Sequence, residues 1–528
     1  MKRAPALATL VVAVALLFLA PFAYLLVRSI EGGGGLLEAL TSPKALASLG
    51  RSVVLGGAVS LASTIVGVAT AWLVTRTDVP GRRVWRLLLP LPLVIPSYIG
   101  AFVMLAAFAQ GGLLEVLLGP LGVGEITAFG GFTGSFLVLS LFTFPYVYLP
   151  VQARLRQLPP SFEESARLLG TRPFRAFFSV VLPQTRGAIL AGSLLVFLYT
   201  ISDFGVVQLM RYDTLTRVIY STRLIDSITS IRLSLMLGML AILVVVTERI
   251  VARGGGPVDA PRGTRPLQIP LRRWRPAAIA LLSCVVGFSL VAPVSVLVWW
   301  AFRGLARGDT NGSNLVADLS DMAAPALNTS LASIAAAATA IVLVAPVAYF
   351  TIRRPGRLGS VANAVIVGGF ALPGLSIALA LVYFTLSGPS FIAGIYQTLP
   401  LLVVAYVVHF GAQAMGTARV AVSSVPRRVE DAAQTLGVNK LRRVMRVELP
   451  LMMPGLLAGA GLVLMSAMKE LPATLLLSPI GFETLSVKIW TGTQSALFAD
   501  ASLASLVLIL TSGVLTWWLV IRRSDRLV

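Results

Sequence analysis

The sequence predicts an all-α membrane protein: about twelve transmembrane helices in two parallel six-helix repeats, each repeat carrying a short helix–turn–helix on the inner face. Three observations predict it. Hydrophobic residues make up 56% of the 528 positions and charged residues 12%, with a mean hydropathy of +0.86, a balance that excludes a soluble globular class. Apolar stretches recur along the chain, each long enough for about 20 helical residues to cross a hydrocarbon core about 30 Å thick. One polar, basic passage occurs twice, at 159–192 and again at 426–459.

Taken in order, the apolar spans fall near 7–28, 50–75, 87–109, 132–153, 187–210, 233–252, 277–302, 327–352, 360–386, 395–418, 454–478 and 501–521. The first follows Lys2-Arg3 and has the look of a signal sequence. Its length and the lack of a small-residue cleavage site favour an uncleaved span. Prolines interrupt the third and ninth spans. With Met1 placed inside, the inner segments hold 32 of the 43 Lys and Arg but only 9 of the 22 Asp and Glu. The net charge of +21 is therefore the positive-inside asymmetry of a multi-pass protein with both termini cytoplasmic. No soluble domain carries it, so no nucleic-acid partner is expected; anionic membrane lipid accounts for most of the basic loops. One cysteine, Cys284, and one histidine, His409, exclude an internal disulfide and any cluster of His and Cys ligands within the chain. A packed histidine is the expectation for His409.

The Gly-, Pro- and Arg-rich stretch 253–275 reads as a cytoplasmic linker between a first half, 1–252, and a second, 276–528. Six spans in each half make the repeat parallel. Fainter echoes agree: Pro80-Gly81-Arg82 answers Pro355-Gly356-Arg357, Pro96 answers Pro373, and 212–216 answers 482–486. A proline within a span frees a backbone carbonyl, which a bilayer tolerates only where neighbours or water satisfy it. Pro96 and Pro373 are thus candidates for lining a translocation path, with ordinary packing kinks as the alternative.

At a constant offset of 267, Glu163 matches Glu430, Glu164 matches Asp431, and Ala166 matches Ala433. Gly170 likewise falls on Gly437, Pro183 on Pro450 and Gly192 on Gly459. Ser161 precedes Glu164 by three residues, a capping-box spacing that starts a helix. Glu163 and Glu164 suit the positive end of its dipole, and Gly170 ends it in a left-handed conformation. Residues 172–182 then restart as a second helix, and Pro183 begins the turn into the fifth span. The second copy repeats this, exposing Arg427, Arg428, Lys440, Arg442, Arg443 and Arg446; the first exposes Arg167, Arg172 and Arg175. An amphipathic helix resting on lipid is the plainer alternative, but it leaves the recurrence of the acidic pair and the glycine unexplained.

Glu164-Ser165-Ala166-Arg167-Leu168-Leu169-Gly170 and Asp431-Ala432-Ala433-Gln434-Thr435-Leu436-Gly437, each followed about a dozen residues later by Leu-Pro, resemble the EAA loop of binding-protein-dependent ABC importer permeases. The position, between the fourth and fifth spans of each half, fits as well. The resemblance implies that Glu163, Glu164, Ala166 and Gly170, with Glu430, Asp431, Ala433 and Gly437, dock on cytoplasmic ABC ATPase subunits. It further implies a homodimer of them, one per coupling helix, with ATP and magnesium bound there and no cofactor in this chain. An external binding protein would deliver cargo at a bacterial inner membrane. The segments at 201–207 and 469–477 resemble fused ferric-iron permeases, with thiamine and phosphonate importers as similar layouts.

Asp203 and Glu470 also match at offset 267. Acidic residues near a span are costly unless they face water, a partner or cargo, so this pair is the candidate guide for a cation. Interfacial salt bridges are the alternative: Asp203 with Arg211 or Arg217, Glu470 with Lys469 or Lys488. Tyr199, Tyr212 and Glu483 are weaker candidates. The chain has no phosphate-loop motif, no H-E-x-x-H and no G-x-S-x-G. ATP hydrolysis is therefore expected on another polypeptide, and a resident metal is not expected. A secondary transporter with two parallel repeats, driven by an ion gradient, is the rival of another class.

Overall fold

The computed structural model of the chain describes residues 5–33, 35–121, 129–159, 164, 168, 170, 175, 177–252, 268–307, 315–370 and 372–516. They are helical almost throughout. Among them, ten helices are long and apolar enough to cross a membrane, and two bent pairs make twelve if each counts as one span. The ten are Ala6–Glu31, Pro43–Arg76, Gly131–Gln157, Phe177–Ser202, Ser227–Thr247, Arg272–Gly304, Ser320–Arg353, Leu399–Ser424, Leu441–Met468 and Phe498–Leu515.

The third span of each half is broken rather than kinked. Arg82–Val94 and Ser97–Phe108 meet at 91°, and Arg357–Gly369 and Gly374–Ser387 at 103°. The cause is local. Pro96 and Pro373 both sit at φ −58°, ψ 144°, each as the residue just before a new helix. Proline has no N–H to continue a preceding helix and also pushes the residue before it out of the helical region. Ile95 is accordingly extended, at ψ 120°.

The fifth spans begin about ten residues earlier than their apolar pattern suggests, because Pro183 and Pro450 lie inside continuous helices instead of opening a turn. A π-helical turn precedes each, Phe177–Val181 in one and Val444–Glu448 in the other, again at the offset of 267. A third, Gly287–Val291, stands just ahead of Pro293. The carbonyl four residues before each proline has no N–H to receive and lies within that wider turn, so the helix absorbs the proline without ending.

The chain forms two compact units that do not follow the sequence halves. One comprises Met1–Leu40, Thr222–Gly238 and Arg303–Val528; the other comprises Thr41–Ser221 and Met239–Phe302. In the first unit, Pro5–Glu31 packs on Leu315–Arg353, Arg357–Gly369 and Gly374–Ser387, all from the second half. The centre of that unit is Leu315–Arg353 against Leu399–Ser424 and Leu449–Met468. In the second unit, Pro43–Arg76 packs against Pro145–Gln157 and Leu182–Ser202 in the corresponding way. There Trp299 and Trp300, from the seventh span, donate their indole N–H groups to the carbonyls of Gly111 (3.2 Å) and Ala106 (2.9 Å). The matched glycines are helix-crossing points: a Cβ on Gly192 would lie 2.8 Å from the Cα of Val147, and one on Gly459 would collide with the side chain of Thr417.

Candidate functional site

The second copy of the repeated passage is described throughout. Arg427–Thr435 is a helix with Glu430 in its first turn. Gly437 takes φ 72°, and the N–H of Val438 donates to the carbonyl of Ala433 at 3.1 Å. That six-to-one bond across a left-handed glycine is the Schellman ending of a helix. Lys440–Arg443 follows and runs on into the fifth span. Asp431 and Gly437 are exposed on this segment, while Ala433 is buried.

Glu430 is not a free helix-start charge. Its Oε1 lies 2.7 Å from Arg353 Nε, at the last residue of Leu315–Arg353. Its Oε2 lies 3.8 Å from Arg443 Nη2, and Arg443 Nε donates to Glu448 Oε1 at 2.7 Å. Arg353 Nη2 also donates to the carbonyl of Val425 (2.9 Å). The expectation that Arg443 is exposed is therefore wrong: its side chain is 5% exposed, and that of Glu448 is 0%. A buried guanidinium needs a carboxylate partner to offset its lost hydration, and two are present. Arg428, Arg442 and Arg446 are exposed as expected; the side chains of Arg427 and Lys440 lie outside the described residues.

In the first copy, Glu163, Ala166, Arg167 and Arg172 lie outside the described residues. Glu164 and Leu168 are helical and exposed, Arg175 is exposed, and Gly170 has φ 81°. One anchor recurs by position: Arg76 Nη2 donates to the carbonyl of Leu158 (3.3 Å), as Arg353 does to that of Val425.

Asp203 and Glu470 each occupy the break after a fifth span. Asp203 Oδ1 accepts the N–H of Val206 (2.8 Å), capping Gly205–Leu209. Its Oδ2 accepts the hydroxyl of Ser97 (2.5 Å), the first residue of the helix that follows Pro96. Glu470 Oε1 accepts the N–H of Ala473 (3.1 Å) at the start of Pro472–Leu477, and a Cβ on Gly374, the position matching Ser97, would meet the Glu470 carboxylate. The carboxylates thus join two helix starts in each repeat, where the dipoles favour negative charge. Among the described residues Asp203 meets no guanidinium. Arg217 pairs with Asp213, and Lys488 donates to the carbonyl of Asp321 (3.4 Å). The structure thus places Pro96 with Asp203 and Pro373 with Glu470, each pair within one repeat. Tyr199 packs at a tilt on Tyr146, Tyr212 meets Phe132 edge-on, and the Glu483 carbonyl accepts from Asn328.

Sequence reasoning missed Ser97 and the hydroxyl pair Ser52 and Thr329. Ser52 Oγ accepts the N–H of Leu215, and Thr329 Oγ1 that of Leu485, both at 2.9 Å. An offset of 277, the one relating Pro96 to Pro373, finds both. His409 is a packed histidine: Nδ1 lies 3.1 Å from the Leu372 carbonyl, and the ring stacks on Phe370. No group of three His, Cys, Asp or Glu that could hold a metal occurs among the described residues.

The helix–turn–helix described in the second copy and the duplicated helical frame point to one class, and the comparisons agree. The model for binding-protein-dependent transport system inner membrane components matches residues 63–253 and 337–524, and the chain belongs to that family: it is a fused, two-half permease of an ABC importer. Both matched stretches leave out the first span of their half. The chain is similar to the Fe(3+)-transport system permease protein FbpB 2 of Haemophilus influenzae, 28% identical over 96% of each. It is also similar to the sulfate transport system permease protein CysT of Escherichia coli, 28% identical over 32% of this chain and 60% of that one. The molybdenum transport system permease protein ModB of Escherichia coli is 30% identical over 26% of this chain and 60% of its own.

Proposed function

We propose that this permease moves ferric iron, delivered by an external binding protein, across a bacterial inner membrane with both of its termini on the cytoplasmic side. The observation that carries the cargo is the similarity to an Fe(3+) permease along 96% of both chains, since cargo selection depends on both halves together. The two acidic residues at matching helix breaks support a cationic cargo, because hard oxygen ligands suit ferric iron. They would guide it transiently, since a tight site in the path would impede release.

Energy comes from separate ATPase subunits, a homodimer with one subunit under each helix–turn–helix. The exposed Glu164 and Asp431 would touch the ATPase, and Gly170 and Gly437 would fix the angle at which they do so. Sulfate or molybdate is a second reading, favoured by the relatives named for their transport, although those similarities span less than half of the chain. Thiamine and phosphonates remain comparison cargoes.

The test is reconstitution in vesicles with the ATPase and binding protein encoded beside this chain, after a binding assay on that protein. Ferric iron bound and accumulated only with ATP is the expected result. Preferred binding of sulfate, molybdate, thiamine or a phosphonate would replace the cargo. Accumulation driven by an ion gradient with no ATPase present would overturn the energy source.

A further inference from the structure

The two copies of the repeated passage match closely, yet the first lacks charged residues that the second brings together at its spans. In the second copy, four charged side chains lie together with little solvent: Arg353 at 10%, Glu430 at 17%, Arg443 at 5% and Glu448 at 0% exposure. Their formal charges sum to zero. They come from four elements: the end of Leu315–Arg353, the helix Arg427–Thr435, the helix Lys440–Arg443 and the π-helical turn that opens the fifth span. Tyr349 interacts with both Arg443 and Glu448.

In the first copy the matching positions carry Trp72 for Tyr349, Ala176 for Arg443 and Val181 for Glu448. Trp72 meets Phe177 edge-on at 5.3 Å, and Val181 is buried. Only the arginine at the span end and the glutamate before the acidic helix start, Arg76 and Glu163, persist in the sequence. The charge set cannot be assembled there, because two of its four members are apolar.

We propose that Arg353, Glu430, Arg443 and Glu448 are positioning residues forming a buried charge latch, which makes the second helix–turn–helix move as one body with the ends of two spans. The first segment transmits through apolar packing and is the more compliant of the two. The proposal rests on the coupling role given to these segments above. Its physical basis is the cost of separating desolvated charges: a displacement of Arg427–Thr435 that left its spans behind would strip Glu430 of both arginines inside the protein. Apolar side chains can slide without an equivalent penalty, since their attraction is non-directional.

The test transplants the first copy's residues into the second, as Arg443→Ala with Glu448→Val, in the full chain assembled with its ATPase and binding protein. Replacing a buried ion pair by apolar residues is often neutral for stability, so the variant should insert, retain the ATPase and melt near the native temperature. Cargo moved per ATP hydrolysed should fall about tenfold or more, the scale of losing one buried charge contact. A ratio within about twofold of native in that folded, ATPase-bound variant overturns the latch. If the transplant does not insert, Glu430→Gln decides by the same ratio: a fall supports the latch, and an unchanged ratio overturns it. Failure of the native chain to bind any ATPase would instead refute the coupling role, before the latch is addressed.

Discussion

Gly437 offers a clean separation of backbone strain from collision. At φ 72° it lies in the left-handed region, and a Cβ built on it meets nothing within 4 Å. Every penalty for a larger residue there is therefore conformational. An L residue held left-handed costs roughly 1–2 kcal/mol, and a β-branched one sits at the upper end or beyond. Asparagine tolerates the conformation far better. A penalty of 1–2 kcal/mol disfavours the native turn by roughly 5–30-fold. The rank order Asn, Ala, Val should then hold for ATPase retention on the purified permease and for uptake in vesicles, normalised to inserted protein. The same order is expected at Gly170, whose φ of 81° likewise meets open space. Normal uptake by Gly437→Val, at normal insertion, would refute the argument for that copy.

Neutralising the acidic pair should separate capping from guidance: Asp203→Asn keeps an acceptor for Val206 and should cost under about 1 kcal/mol, against about 1–3 for Asp203→Ala. If the carboxylates guide a cation, Asp203→Asn with Glu470→Gln slows uptake without loss of melting temperature or of ATPase assembly; unchanged uptake removes them from the path. Asp78 accepts hydrogen bonds from Arg275 and from the N–H of Leu271. Those bonds, that of Arg275 first, hold its carboxyl below the ordinary value of 3.8. A depressed carboxyl stabilises above its unfolded pKa and loses that contribution as the pH falls through the folded one. Protection of the Leu271 amide from exchange should thus persist down to the ordinary carboxylate range and vanish below it; in Asp78→Asn it should no longer depend on acid, and persistent dependence there would implicate another group. In a Cys284→Ser background, cysteines at 76–86, 154–186, 353–358 and 419–450 should label only from the cytoplasm, and those at 110–130, 211–232 and 479–500 from outside. Labelling of position 440 from outside intact cells would reverse the orientation.

The spans, the duplication and the two left-handed glycines were legible in the sequence because each is local: an apolar run, a matching passage, a residue type at a helix end. The broken spans were half legible. Pro96 and Pro373 marked the places, but whether a proline kinks or ends a helix depends on what the next helix packs against. The early starts of the fifth spans were hidden because a π-helical turn has no compositional signature. Arg443 read as a solvated charge because its carboxylate partners, Glu430 and Glu448, lie 13 positions upstream and 5 downstream, and Glu430 is itself shared with Arg353, 77 positions further upstream. Nothing in a hydropathy pattern pairs charges across such distances. Asp203 was given the wrong neighbours, since Ser97 is 106 positions away.

The placement of Pro5–Glu31 on helices of the second half sets an order for the birth of the molecule. These residues leave the ribosome well before most of their packing partners: Ile231 and Arg232 reach them first, and the second-half helices follow only from Leu315. Until then the first span must wait in lipid with most of its second-half contacts unmade, and closing so long an interval is entropically slow. The fused chain relieves part of that delay. With both halves on one polypeptide, the waiting helix meets its partners at a tethered effective concentration instead of searching the membrane for a second subunit. Severing the linker would turn that meeting into a bimolecular event, and the yield of assembled permease would become dependent on how much of each half the cell makes.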